Sequence, residues 1–537
     1  MPNPPGPHTP LRHSPFDDSP ATRGAKILAT LGPATSHPDV IAQILAAGLD
    51  AARHNFSHAD HATLAPLIAR VRAAQRQAGK PLALLGDLQG PKIRIGELPE
   101  PLMLHSDSPV CIRPRPSHHR PPSAPPPITP STHESSGPPG PIQLQTDYDR
   151  LPDHVQPGQH IYLKDGLIDL EVTAVQPAAP DPHVDALVRT GGLLTSRAGM
   201  NVPGVRLDFP TLTEKDRADI RFAVEQGLDY LALSFVHDAN DLRAARALLD
   251  ELGSDIHLVA KIENAFALDH LPEILQAADG VMVARGDLGV EIGAENVPIW
   301  QRRIIDASAA ALVPCIVATQ MLESMTASPR PTRAEASDVA NAVWEGTDAV
   351  MLSAETAVGR YPVECVAMMD RIIRRAEQSG DALHVPSYHT DWWRDPSRSI
   401  SWAVRSIVEH NEDVQAVIAF TISGYTARLI AKDRMRVPVL VLAPNPAVEQ
   451  RAALLWGVTP VHCPPPADLD AMLQTVDDIA RTELGCDDGE QVVVAGGLPL
   501  NIGMPTNFLK LHAVGEEHHH SEPQDREHPG TRQRSGE

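Results

Sequence analysis

Cysteine is scarce in this 537-residue chain: Cys111, Cys315, Cys365, Cys463 and Cys486 are scattered, odd in number and without a CxxC pair. Such a set predicts a reducing compartment and no structural zinc site. No apolar run approaches the roughly 18 residues that a membrane helix needs. The first twenty residues are rich in proline and polar groups and lack the apolar core of a secretory signal. A cytoplasmic location is expected. Positive charge is in deficit, 46 Lys and Arg against 68 Asp and Glu for a net −22, which argues against nucleic acid or an anionic membrane as a partner. A small anionic substrate is still allowed, because a few Arg and Lys can reverse the field inside a cleft. Also missing is a glycine-rich phosphate loop after the first apolar run, where the turn reads Gly32-Pro33-Ala34-Thr35. An open doubly wound sheet is disfavoured on that ground. What the chain does have is bulk, with 42% hydrophobic residues over a length suited to about three domains.

Short apolar runs at 25–31, 49–55, 82–87, 230–235, 257–262, 280–284, 314–319 and 349–352 alternate with helical periods such as 39–47, 62–78, 213–226 and 240–252. Thr213 with Asp216, and Thr332 with Glu335, carry the spacing of a helix capping box. Eight strand–helix units in a row predict a closed (β/α)8 barrel in an α/β chain, spanning 22–90 and 206–378. The alternation breaks once. Residues 91–205 read as an inserted small β lid domain, with β-like patches at 159–163, 168–175 and 186–190 and a proline-rich insertion at 113–141. Beyond a linker holding Trp392-Trp393, runs at 414–420, 437–442, 458–462 and 491–495 predict a C-terminal α/β domain over 395–516. Segments 1–21 and 517–537, the latter with His518-His519-His520, read as disordered.

Active sites of parallel barrels lie at the C-terminal strand ends, so polar residues there are the candidates. The second strand ends in Arg53, Asn55 and Ser57 at alternate positions, the third in Asp87 and the fourth in Ser234. The fifth ends in Lys261 and Glu263, the sixth in Asp287, the seventh in Thr319 and the eighth in Ser353 and Glu355. Lys261 and Glu263, two apart on a strand, point into one cavity. Any one of these residues alone reads equally well as a capped or paired polar group. Seven consecutive strand ends with charged or hydroxyl groups are harder to assign to packing. A carboxylate pair beside a fixed ammonium suits a divalent metal and an oxyanionic substrate.

The segments ARHNFSH (52–58), DLQGPKIRIG (87–96), SFV (234–236), KIEN (261–264), VMVARGDLGVE (281–291), ATQMLESM (318–325) and PRPTRAEASDVANAV (329–343) resemble the pyruvate kinase family. The likeness runs from about 25 to 376, weakens in the inserted domain and resumes loosely from 414 to 514. It implies transfer of the phosphoryl group of phosphoenolpyruvate to ADP, giving pyruvate and ATP at the last step of glycolysis. Glu263 and Asp287 would hold Mg²⁺, with Mn²⁺ as an alternative. Lys261 would stabilise the phosphoryl group and the enolate. Backbone at Ala284, Arg285 and Gly286 would receive the substrate carboxylate, and Thr319 would contact it and take part in enolate protonation, directly or through water. Arg53 would clamp the phosphate, with Ser234 behind it. Arg94, His58 and Arg197 are the nucleotide candidates.

The resemblance also implies a monovalent-cation site at Asn55, Ser57, Asp87 and the Leu88 carbonyl. Potassium-requiring members carry an acidic residue where this chain has Lys92, and its ammonium would supply the charge, so K⁺ is expected to be dispensable. Two lid positions depart from the family: Ala198 replaces a lysine implicated in ATP contact, and Lys164 replaces a carboxylate, leaving Asp165 as the lid's acid. In the last domain Thr421, Ser423 and Thr426 form a hydroxyl-rich turn that reads either as a plain helix cap or as a loop for an effector, a sugar phosphate or AMP. A homotetramer is implied. The rival readings are a Mg²⁺-enolate lyase or aldolase on the same barrel, and a catalytically silent effector-binding relative.

Overall fold

The computed structural model describes residues 23–115, 140–178, 181–206, 208–210, 212–379 and 394–516. The disorder expected at 1–21 and 517–537, the Trp392-Trp393 linker and most of the proline-rich stretch lie outside the described residues.

Eight parallel strands, Lys26–Thr30, Ala51–Asn55, Ala83–Asp87, Tyr230–Leu233, His257–Ile262, Gly280–Ala284, Cys315–Ala318 and Ala349–Leu352, close into a barrel in chain order. Closure comes where Lys26 pairs with Ala349. These runs are apolar on both faces because both are buried. Leu28, Leu85, Tyr230, Val259, Met282 and Ile316 fill the interior, and the alternate set, including Ile27, Leu84 and Val281, packs against the helices. Both predicted capping boxes are present, on Glu214–Glu225 and Arg333–Trp344. Among the described residues no helix is long and apolar enough to cross a membrane.

The chain leaves the barrel after the third strand at Gly90, whose φ of 66° suits glycine and whose N–H donates to Asp216 at 3.1 Å. The excursion is mainly a seven-stranded sheet, ordered Ile93–Arg94, Gly199–Asn201, His160–Leu163, Ile168–Gln176, His183–Thr190, Pro109–Pro114 and Ile142–Thr146. Only the last pair runs parallel, and its connection is the proline-rich stretch. The sheet has its own core around Ile112, Leu144, Leu163, Leu170 and Val184.

The C-terminal domain holds the four expected parallel strands and a fifth, Phe508–Ala513, antiparallel at the edge. Sequence patterning does not reveal that strand, because FLKLHA carries a lysine and a histidine among its apolar residues. This domain sits on the N-terminal end of the barrel. Leu454 joins the barrel interior, Tyr230 Oη donates to the Arg451 carbonyl at 2.9 Å, and Lys26 Nζ to the Val458 carbonyl at 2.8 Å. With that end plugged, the opposite mouth is the one left open to a substrate.

Candidate active site

The polar strand ends converge on a cavity of about 1010 Å³ lined by Arg53, Asn55, His58, Asp87, Lys261, Glu263, Asp287, Thr319 and Ser353 among others. Lys261 Nζ donates to Ser234 Oγ at 2.6 Å and stands 2.8 Å from Glu263 Oε1 and 3.3 Å from Asp87 Oδ1. Burial alone would drive this ammonium toward neutrality, but the Asp87 and Glu263 carboxylates outweigh it and hold Lys261 above its ordinary range. Asp87 is depressed: burial pushes it up, and Lys261 and Arg53 more than reverse that. Arg53 Nε donates to Asp87 Oδ2 at 2.7 Å and its Nη1 to Thr30 Oγ1 at 2.8 Å. Lys261 and Arg53 therefore share the buried Asp87 carboxylate, with Glu263 as a second partner for Lys261.

Glu263 is 1% exposed. Burial raises its carboxyl, Lys261 pulls it back, and Asp287 pushes it up again. Its Oε2 accepts from the Phe235 N–H at 2.7 Å. Asp287, expected at the end of the sixth strand, lies instead in the first turn of the helix Arg285–Ile292 that follows. That turn brings Ala284 and Asp287 to the cavity wall, and the Gly286 N–H donates to Thr319 Oγ1 at 3.0 Å. Thr319 and Gln320 both have positive φ, 71° and 54°, a costly conformation for a β-branched residue. The brace is the Arg285 side chain. It turns away from the cavity, donating to the Ala318 and Thr319 carbonyls at 3.2 and 2.6 Å and pairing with Asp338 at 2.7 Å. The motif points to Arg285 for its backbone alone, and neither Thr30 nor Asp338 carries a signal in the sequence.

Not every candidate meets at the mouth. Asn55 lines it, but its Oδ1 accepts from the Ser57 N–H at 3.0 Å, and the Leu88 carbonyl accepts from Ser234 Oγ at 2.8 Å. Lys92 Nζ reaches Asp165 Oδ1 at 3.3 Å across the lid, yet its charge is felt at the mouth. Burial, then Arg53, Arg94 and Lys92 in turn, hold the His58 imidazole below its usual range. Arg94 Nη1 donates to the Arg197 carbonyl at 3.2 Å. The Arg197 side chain is exposed, with Glu97 as its nearest carboxylate at 3.9 Å. Lys164 Nζ donates to the Leu193 carbonyl at 2.9 Å, and Ala198 is buried in the lid core. Glu355, expected at the mouth, is fully buried with both oxygens on backbone N–H groups, of Leu322 at 3.1 Å and Ser353 at 2.6 Å. At the effector-loop candidate, Thr421 Oγ1 accepts from the Gly424 N–H at 3.0 Å and Thr426 Oγ1 lies 2.9 Å from Thr506 Oγ1. Thr421, Ser423 and Thr426 border a small cavity with Pro465, Pro466 and Asn501.

A closed barrel with two cations and paired carboxylates at its open mouth places the chain among barrel enzymes that handle oxyanions. The family model described as pyruvate kinase, barrel domain, matches residues 22–112 and 131–366, and that described as pyruvate kinase, alpha/beta domain, matches 398–512. The chain is 41% identical over 499 residues to the pyruvate kinase of Geobacillus stearothermophilus, covering 92% of this chain and 81% of the relative. It is 38% identical over 498 residues to that of Corynebacterium glutamicum, covering 92% and 98%. The chain belongs to the pyruvate kinase family, of bacterial type, and is a phosphotransferase.

Proposed function

We propose that the barrel mouth carries phosphoryl transfer from phosphoenolpyruvate to ADP, giving pyruvate and ATP in the cytoplasm, through Lys261 as the central charge. The carrying observation is Lys261 Nζ, held protonated 2.8 Å from Glu263 and 3.3 Å from Asp87, with the Arg53 guanidinium on the same Asp87. Arg53 clamps the phosphate, and Lys261 offsets charge on the phosphoryl group in flight and on the enolate left behind. The Ala284–Gly286 backbone receives the carboxylate, and Thr319 Oγ1, beside the Gly286 N–H, contacts it and serves enolate protonation. Ser234 aims Lys261. Glu263 and Asp287 fit Mg²⁺ or Mn²⁺: they are oxygen donors, one buried, and Asp287 raises Glu263 in a way a hard cation would relieve. The ion would supply charge neutralisation to phosphate and enolate oxygens. His58 and Arg94 serve the nucleotide, and Arg197 is a further candidate from the lid.

A coupled lactate dehydrogenase assay with phosphoenolpyruvate, ADP and Mg²⁺ tests this reading. Lys261→Met is expected to abolish turnover while leaving the circular dichroism spectrum intact; unchanged turnover would show that another residue carries the chemistry. Potassium independence belongs to the same proposal, with Lys92 supplying the charge that K⁺ would bring near Asn55, Ser57, Asp87 and Leu88. Its support is the lysine itself, standing where potassium-requiring members carry an acidic residue. Rates in tetramethylammonium buffer should change little on adding KCl, and strong activation would sink the idea. A homotetramer, and an AMP or sugar-phosphate effector at Thr421, Ser423 and Thr426, complete the proposal. Sedimentation, and phosphoenolpyruvate titrations with each effector added, test those two parts.

A further inference from the structure

We propose that Cys111, His183 and Asp185, on the face of the lid sheet turned away from its core, form a binding site for a divalent cation of the zinc class. It is separate from the barrel mouth and does not depend on the phosphotransfer reading. No CxxC spacing announces it, because its ligands come from two strands that meet only on folding. Asp185 pairs directly with Cys111 across the antiparallel strands His183–Thr190 and Pro109–Pro114. His183, two residues before Asp185, shares its face. Their sulfur, ring nitrogen and carboxylate oxygen all lie within 4.8 Å of one another.

Three features point to a metal rather than to a chance polar patch. First, His183 Nδ1 lies 2.7 Å from the Asp181 carbonyl oxygen. A carbonyl only accepts, so Nδ1 carries the proton and, in the neutral ring, the Nε2 lone pair is free. A carbonyl that fixes the tautomer in this way is what metal-bound histidines use. Second, Nε2 stands 3.6 Å from Asp185 Oδ2. Two acceptors facing each other repel, and a cation held between them relieves that repulsion. The separation matches that of two ligands on one tetrahedral zinc, roughly 3.2–3.8 Å for bonds of about 2.0–2.3 Å. Third, the charges balance. A Cys111 thiolate and the Asp185 carboxylate offset a dication, while the Arg113 guanidinium, which also hydrogen-bonds to Cys111, is neutralised by Asp181 at 3.1 Å through both its Nε and Nη2. Asp181 also places a carboxylate oxygen 3.7 Å from His183 Nδ1, which favours the same tautomer. Sulfur and nitrogen ligands select zinc or cobalt over magnesium, so the Mg²⁺ used at the barrel mouth does not compete. Binding would expel the Cys111 proton, with Cys111 Sγ, His183 Nε2 and an Asp185 oxygen as ligands and water in the fourth position. The ion would tie two adjacent strands of the lid together.

Cobalt(II) is the probe, added to metal-stripped full-length protein. A thiolate-to-cobalt absorption band should appear with one equivalent bound, and one equivalent of Zn²⁺ should displace it and raise the unfolding temperature. The histidine-rich tail has no cysteine and gives no such band. Cys111→Ser should remove the band and weaken Zn²⁺ binding by at least about 100-fold. His183→Gln and Asp185→Asn, which keep the thiol, should each weaken it by at least about tenfold, so the test survives if Cys111→Ser fails to fold. A wild-type protein without the band, a band that persists in Cys111→Ser, or Zn²⁺ affinity unchanged in His183→Gln and Asp185→Asn would overturn the proposal.

Discussion

Charge placement at single residues carries the chemistry, and the same physics makes a residue beside the site sensitive to pH. Glu291, four positions after Asp287, lies at the lid–barrel boundary, where its Oε2 faces the Gly204 N–H at 3.5 Å. Burial pushes its carboxyl from 4.5 up to about 7. The folded protein therefore holds this proton to about pH 7, whereas the unfolded chain releases it near 4.5. Below about pH 4.5 the group costs nothing; its penalty grows as pH rises and is complete above about pH 7. A gap of this size corresponds to on the order of 3 kcal/mol. Glu291→Gln is expected to raise the unfolding midpoint at pH 8 and leave it almost unchanged at pH 4.5. Equal gains at both values would mean that packing, not titration, decides the effect.

Elements were legible where one local rule decides them. The eight barrel strands follow from apolar runs buried on both faces, and both capping boxes from a threonine three residues before an acid. Lys261 and Glu263 share a face because strand periodicity demands it. Thr319 was legible as a candidate, but its left-handed backbone and the Arg285 brace were not, since they depend on the Ala318 and Thr319 carbonyls and on Asp338, 53 residues from Arg285. Glu355 failed the same way: a carboxylate consumed by two backbone N–H groups looks, in sequence, like one free for a ligand. Capping also does more than start a helix. Glu335 closes the box with Thr332 and binds both the N–H and the hydroxyl of Ser324, at 2.7 and 2.6 Å, so it anchors the loop after the seventh strand. Thr332→Ala should cost about 1 kcal/mol in urea unfolding. Glu335→Ala should cost more and also raise the KM for phosphoenolpyruvate, because the released loop continues from Thr319. If Thr332→Ala proves the more damaging of the two, Glu335 is only a cap.

At the scale of the whole molecule, the C-terminal domain is fastened to the closed end of the barrel by ion pairs rather than by apolar packing alone. Asp348, just before the eighth strand, accepts from Lys432 and Arg434 of the C-terminal domain, and also from the Cys315 N–H at 2.8 Å. All three charged groups are buried, at 5% exposure or less. Burial opposes the Asp348 charge, but Lys432 and Arg434 hold its carboxyl well below the usual range; the stability this contributes is present above the unfolded pKa and fades as pH falls through the lower, folded one. Removing one partner of such a cluster leaves uncompensated buried charge, costing about 3–5 kcal/mol. Asp348→Ala should accordingly lower the urea midpoint sharply, and it should act on the junction as well as on the barrel. Adding Lys432→Met to Asp348→Ala removes one stranded ammonium and should recover part of the loss, which a merely local role for Asp348 would not allow. The hydroxyl turn starting at Thr421 runs into the helix Tyr425–Lys432, whose first turn holds Thr426 and whose last residue is this lysine. That helix is pinned to the barrel through Lys432 and Asp348. If an effector acts there, Asp348→Ala should abolish its influence on the phosphoenolpyruvate titration while leaving its binding measurable by calorimetry; retained activation would mean that the signal travels another way.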